Sequence, residues 1–227
     1  MSKKIVIEPV TRVEGHGKVT INLDDNGKVT DSHFHIVEFR GFEKFIQGHP
    51  YWEVPMVVQR LCGICPVSHH LAAAKAIDQI VGIDPEELSP TAYKLRELLH
   101  YGQIFQSHAL HFFYLASPDL LFGADDPVET RNVVGVAMKN KELAKRGILM
   151  RKFGQEIIKA VAGKRIHGIS AVPGGVHKNL NQAERDYFLN GEEIPSIDTM
   201  ITWMRETIQF MKDYHVKNSK WMDEFAA

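Results

Sequence analysis

The stretch Arg60-Leu61-Cys62-Gly63-Ile64-Cys65-Pro66-Val67-Ser68-His69 holds the only two cysteines of the chain, with a histidine close behind them. Two thiols at this spacing can hold one metal ion from a single turn. Pro66 suits the first position of a helix, where its missing N–H costs nothing. Leu71, Ala72, Ala74, Ala76, Ile77 and Ile80 then carry a helical period as far as Gly82. Cys65 is therefore expected at a helix N-terminus, where unpaired backbone N–H groups favour thiolate over thiol. His69 falls about one turn further on, which brings an imidazole N–H within reach of the Cys65 sulfur as a donor that tunes it. Gly63 leaves room for close backbone approach, and Arg60 brings positive charge to a site of anionic sulfur.

Outward from this loop the chain changes character. Before residue 50 the pattern is that of strands: Ile5, Val6 and Ile7, then Val19, Ile21 and Leu23 alternating with Lys18, Thr20 and Asn22. Asp25-Asn26-Gly27 predicts a hairpin turn, because Asn and Gly tolerate positive φ, and Val29 to Phe39 reads as the returning strand with Phe34 and Ile36 on one face. After residue 50 the period is helical. One helix is expected from Ser89-Pro90 to near Ser117-Pro118, another across residues 128–161, a short one capped by Asn181 and a last one from Pro195. The Gly-rich residues 163–176, with Pro173-Gly174-Gly175, carry neither period and read as a loop. The fold class expected is α+β: residues 1–50 an N-terminal antiparallel β region, residues 51–227 a mainly helical body carrying the Cys-x-x-Cys loop.

Composition narrows the function classes. The 227 residues carry a formal net charge of -1 and 24% charged side chains, with no basic tract, so no attraction to nucleic acid is expected. No apolar run approaches a membrane span, and Met1 to Ile7 lead straight into a strand pattern without a signal-type segment. Two cysteines two residues apart make a poor disulfide staple. The expectation is a cytoplasmic protein in a compartment that keeps thiols reduced. From the residues alone the pair can be a dithiol redox centre, half of a structural zinc site with His69 or His70, or two buried thiols. No thioredoxin-like βαβ context surrounds it, and no second cysteine pair exists to complete a zinc site. His33 and His35 alternate on a strand whose face is expected to be solvated. His100, His108 and His111 lie on a helix without a HExxH carboxylate pattern and read as core or interface residues.

Four ordered segments carry a more specific resemblance. Arg60 to His69 resembles the first metal-binding motif, RxCGxCxxxH, of the large, catalytic subunit of nickel-iron hydrogenases. Glu8-Pro9-Val10-Thr11-Arg12-Val13-Glu14-Gly15-His16, Phe39-Arg40-Gly41-Phe42-Glu43, and His167-Gly168 with Pro173-Gly174-Gly175 agree in the same order. Cys65-Pro66-Val67-Ser68-His69-His70-Leu71 and the alanines that follow are most similar to the soluble, bidirectional, NAD-linked group. The resemblance implies that Cys62 is a terminal nickel ligand and that Cys65 bridges nickel and iron. It further implies that His69 donates toward the bridging sulfur, that Glu14 gates proton transfer, and that Glu43 helps bind magnesium. The iron would carry CO and cyanide. The activity implied is heterolytic splitting of H2, with a basic group taking the proton. Nothing in the chain resembles a GxGxxG nucleotide site or iron-sulfur ligands. Electrons are therefore expected to leave through a small subunit with iron-sulfur clusters and, in the NAD-linked group, diaphorase subunits bearing flavin.

The resemblance stops short at one point. The family's second cysteine pair, in a DPCxxC motif, has no counterpart in these 227 residues, and two thiolates alone leave two nickel positions and one bridge unfilled. The expectation is the N-terminal portion of a longer or split subunit, inactive by itself. The alternative is a metal-free relative like the quinone-site subunit of respiratory complex I, and retention of both cysteines argues against it.

Overall fold

In the computed structural model, which describes residues 3–123, 126–220 and 223, the sheet comes first. Strands β1 (Lys3–Ile7), β2 (Gly17–Leu23) and β3 (Val29–Ile36) pair antiparallel in chain order. Ile5 faces Ile21, and Val19 faces Phe34. The Asp24 carboxylate accepts from the N–H groups of Asn26 and Lys28, both at 2.9 Å. Gly27 takes the positive φ of +81° that the turn demands. Strand β3 ends at Ile36, short of the expected Phe39, because its partner β2 begins at Gly17 and Gly17 already pairs with Ile36. Phe34 and Ile36 are both exposed; the buried positions on β2 are Gly17 and Thr20, and the Thr20 hydroxyl meets His35 Nε2 at 2.9 Å. A one-turn helix, α1 (Phe42–Phe45), follows Gly41, and its Phe42 packs edge-on against Phe39 and Phe45. These residues form one compact unit, Met1–Phe45, and Ile46–Ala227 form a second.

The second unit is helical. A short turn, α2 (Val54–Val57), runs through a 3-10 segment into the cysteine loop, and α3 spans Pro66–Ile80 as the sequence predicts. Helix α4 (Pro90–Leu110) is capped by Ser89, whose Oγ accepts from Ala92 N at 3.2 Å. The helical path does not end at Ser117-Pro118. It passes through a π-helical segment, His111–Ala116, into α5 (Ser117–Phe122), where Pro118 falls in the first turn and the Ser117 hydroxyl donates to Phe113 O at 2.7 Å. The helix expected over 128–161 is two helices, α6 (Val133–Lys139) and α7 (Lys141–Ala162). Asn132 starts the first by accepting from the N–H groups of Val134 and Gly135, and Asn140 separates them with non-helical φ and ψ of -134° and 62°. Residues 163–176 contain a minimal hairpin, β4 (Ala171–Val172) with β5 (Gly175–Val176). Helix α8 (Gln182–Asn190) has a reciprocal cap between Asn181 and Glu184, and α9 (Ile197–Lys217) starts at the Ser196 cap.

The core forms where α3 and α9 meet the α4/α7 pair. Val67, Leu95, Leu99, Ile158 and Val161 make one buried cluster, and Ala109, Phe113, Met150, Phe153 and Met200 another. Each large apolar side chain buried there contributes about 1.5–3 kcal/mol relative to exposure. Helices α4 and α7 touch through glycines: a Cβ on Gly154 would stand 2.7 Å from Gly102 O and 2.8 Å from Gln106 Cβ. That close approach fixes α4, and the cysteine loop lies against the same helix.

Candidate metal centre

The two thiols lie in the loop between the 3-10 segment Val58–Leu61 and α3. Cys62 is extended (φ -151°, ψ 131°), and Cys65 is the residue from which α3 starts. The Cys65 N–H donates to Cys62 Sγ at 3.2 Å, and His69 Nε2 stands 3.5 Å from Cys65 Sγ, so its N–H tautomer donates to that sulfur. The sulfurs of Cys62 and Cys65 and a ring nitrogen of His69 all lie within 4.8 Å of one another, the one such cluster among the described residues. All three side chains are half-buried. Gly63 is exposed, and a Cβ there would meet nothing within 4 Å. Two soft sulfur donors converging in a partly open loop fit a nickel-iron centre, to which this chain would contribute Cys62 and Cys65.

Arg60 reaches across to the Gly-rich loop, where its Nη1 donates to His167 Nδ1 at 2.6 Å. His167 adopts φ +57°, the left-handed region, which costs a non-glycine residue on the order of 1 kcal/mol. Glycine follows because a Cβ on Gly168 would sit 2.6 Å from Ala162 O. The fully buried His70 ties the same loop to α3: Nδ1–H donates to Pro55 O at 3.0 Å, and Nε2 accepts from Ser170 N and Ala171 N at 3.2 and 3.0 Å. Asp78 holds the next stretch, accepting from Gly174 N at 2.8 Å and from Arg96 Nη1 at 2.5 Å. Arg96 Nη2 in turn donates to Val172 O and Gly175 O at 2.8 and 3.0 Å. On the other side, Gln103 Nε2 and Gln106 Nε2 of α4 both donate to Ile64 O, at 3.0 and 2.7 Å.

Glu14 and Glu43 belong to the first unit. Glu14 is exposed in the segment between β1 and β2, and Glu43 is exposed in the first turn of α1. His100, His108 and His111 are exposed, so of the core or interface places expected of them the core is excluded. His33 is exposed as expected of a solvated strand face and pairs with Asp31 at 2.5 Å. Of the residues that brace the loop, His70 lies in the Cys65–Leu71 segment, and Asp78, Arg96, Gln103 and Gln106 belong to no motif. The sequence holds one signal of them: Leu99, Gln103, Gln106 and Leu110 follow core-face spacing on α4, so two glutamines occupy positions where apolar residues are the rule.

Burial holds the pKa of His70 below its ordinary 6.5; the Pro55 carbonyl opposes that shift, and the charges of Arg96 and His177 reinforce it. Protonation at Nε2 would set a new N–H against two backbone donors. The unfolded chain therefore takes up a proton near pH 6.5 that the fold resists. This stability is complete above about pH 6.5 and is lost as pH falls below it, by up to about 1.4 kcal/mol per pH unit. Denaturant unfolding at about pH 7.5 and about pH 5.5 should show His70→Gln to be less stable at both but with a smaller drop between them. An equal drop in variant and wild type would refute the assignment.

Two thiols and an imidazole converging at a helix N-terminus, in an α+β chain of this element order, make a candidate metal-binding site. The HoxL-like family model matches residues 4–39, and the nickel-dependent hydrogenase model matches residues 40–135. The chain belongs to the large-subunit family of nickel-dependent hydrogenases, which implies a nickel-iron centre. It is 54% identical to the NAD-reducing hydrogenase HoxS subunit beta of Cupriavidus necator, over 100% of this chain and 47% of that protein. It is 48% identical to the matching polypeptide of the vhu F420-non-reducing hydrogenase of Methanocaldococcus jannaschii, over 97% of this chain and 50% of that one. The crystal structure of an NAD+-reducing NiFe hydrogenase in the H2-reduced state matches with a TM-score of 0.90 and 56% identity, covering 98% of this chain and 48% of that chain. The NiFeSe hydrogenase of Dm. baculatum matches with a TM-score of 0.65 and 28% identity, covering 82% and 41%. The chain thus spans about half the length of the curated relatives it matches. No helix among the described residues is long and apolar enough to cross a membrane.

Proposed function

We propose that this chain forms part of the catalytic large subunit of a nickel-iron hydrogenase that oxidises H2 reversibly to protons and electrons. The observation that carries the reading is the convergence of Cys62, Cys65 and His69 within 4.8 Å in a chain of this family. Cys62 and Cys65 would hold the nickel-iron centre, Cys62 on nickel and Cys65 shared with an iron that would carry CO and cyanide. When bound, the centre supplies a site that polarises H2 and takes up its electrons. The His69 N–H withdraws charge from the Cys65 sulfur and holds its orientation, as a hydrogen-bonded neighbour does for a metal-bound ligand. Arg60, fixed by His167, contributes positive charge next to the anionic sulfur loop. Glu14 accepts the proton and passes it outward, and Glu43 serves a magnesium ion. The other two thiolates belong to sequence beyond this chain. Electrons pass to a small subunit bearing iron-sulfur clusters, then through flavin-bearing diaphorase subunits to NAD or NADP, in a cytoplasmic complex. Support for that acceptor comes from the NAD-reducing relative, whose name carries it.

Nickel and iron determination on the purified complex, together with H2-dependent reduction of an acceptor, tests the reading; a complex without nickel that reduces nothing under H2 would sink it. For the proton route, Glu14→Gln should leave nickel and iron in place and slow exchange between H2 and D2O by about a hundredfold, the usual worth of a positioned acid-base group. Exchange at the wild-type rate would remove Glu14 from the route.

A further inference from the structure

We infer that Gln103 and Gln106 are positioning residues for the metal centre, holding the Ile64–Cys65 peptide so that its N–H is presented to the sulfur of Cys62. The inference rests on the hydrogenase reading for what that sulfur does, but its geometry stands apart from it. A trans peptide unit directs its C=O and its N–H to opposite sides. Here the Ile64 carbonyl oxygen accepts from Gln106 Nε2 at 2.7 Å and Gln103 Nε2 at 3.0 Å, while the Cys65 N–H of the same unit donates to Cys62 Sγ at 3.2 Å. Two donors on the oxygen polarise the unit and strengthen the N–H···S bond on its far side. The glutamines thereby act on the electron density of a sulfur they do not touch.

Three features show that the arrangement is built rather than incidental. Both glutamines are buried, at 2% and 3% exposure, on the core face of α4 between Leu99 and Leu110. Gln103 leaves its Oε1 buried with no hydrogen-bond partner; turning the amide over would satisfy nothing and would set oxygen against the Ile64 carbonyl. The stem of Gln106 is packed under α7 at the glycine contact, where a Cβ on Gly154 would lie 2.8 Å from both Gln106 Cβ and Gln106 N, so the side chain has little freedom to turn elsewhere. The core has thus given two apolar positions to amides whose shared partner is the carbonyl between the two cysteines.

The test uses the purified hydrogenase complex carrying Gln103→Met, Gln106→Met, or both, because methionine keeps the length and removes the donor. Each single variant retains one donor on Ile64 O and keeps the fold testable if the double variant does not assemble. Hydrogen–deuterium exchange at the Cys65 amide should accelerate by about tenfold in the double variant and less in each single one. The nickel electron paramagnetic resonance g-values should shift in the same order while nickel content stays at the wild-type level. Exchange and g-values that both match wild type would overturn the inference, and so would faster exchange with an unmoved nickel spectrum, since the peptide would then not govern the sulfur. If the wild-type complex holds no nickel, the hydrogenase reading falls, and the exchange measurement still decides whether the glutamines hold the peptide.

Discussion

Cys65→Ala should abolish nickel loading in the assembled complex, with metal analysis returning the background level rather than a partial occupancy. The proposed role of Cys65 is to join two metals, so its loss removes two metal–sulfur bonds at once, and no further soft donor among the described residues lies in the cluster to replace it. The substitution should spare the fold. Helix α3 starts at Cys65 without a side-chain capping bond and with Pro66 at its first position, so the helix start does not depend on the thiol. The His69 ring, whose Nε2 stands 3.5 Å from that sulfur, is half-buried and can turn to solvent. The check is nickel per complex alongside circular dichroism: unchanged helicity with no nickel is the expected pair of results. Nickel at wild-type stoichiometry would remove Cys65 from the ligand set.

Arg96→Leu should destabilise the protein by about 3–5 kcal/mol, the usual cost of leaving one member of a buried ion pair uncompensated. Asp78 is 4% exposed, and without the guanidinium its charge is left leaning on the Gly174 N–H at 2.8 Å. Two backbone carbonyls, Val172 O and Gly175 O, lose their donor in the same step. For a chain of this size that loss corresponds to a fall in Tm of about 10 °C. Replacing Asp78 and Arg96 together by apolar residues should cost less than Arg96→Leu alone, because no charge is then stranded. Thermal unfolding of the two variants decides it; Arg96→Leu melting together with the wild type would show that the pair does not anchor the 163–176 loop.

The Arg96 pair illustrates what a reading of local pattern misses. Arg96 and Asp78 stand on two different helices, and the carbonyls they organise are 76 and 79 residues from Arg96. No local period encodes such a meeting. The same holds for the two breaks in the helical body. Asn140 and the π-helical segment before Pro118 leave the apolar spacing almost unchanged, so 128–161 reads as a single helix and 117–118 as an end. Only neighbouring elements decide whether the backbone continues.

What the sequence by itself determined is the local chemistry: the Cys-x-x-Cys pair, the helix that Pro66 starts and Gly82 follows, the Asp25-Asn26-Gly27 turn, and the change from strand to helix period. These depend on residues within a turn or two of one another, where spacing alone fixes geometry. The tertiary structure decided how the loop is held. His70 meets Ser170 and Ala171 across 100 and 101 residues, Arg60 meets His167 across 107, and the glutamines of α4 meet Ile64 across 39 and 42. Hydrogen bonds of that reach are made only once α3, α4 and α7 have packed, because each buried polar group takes whichever partner the assembled core brings within range.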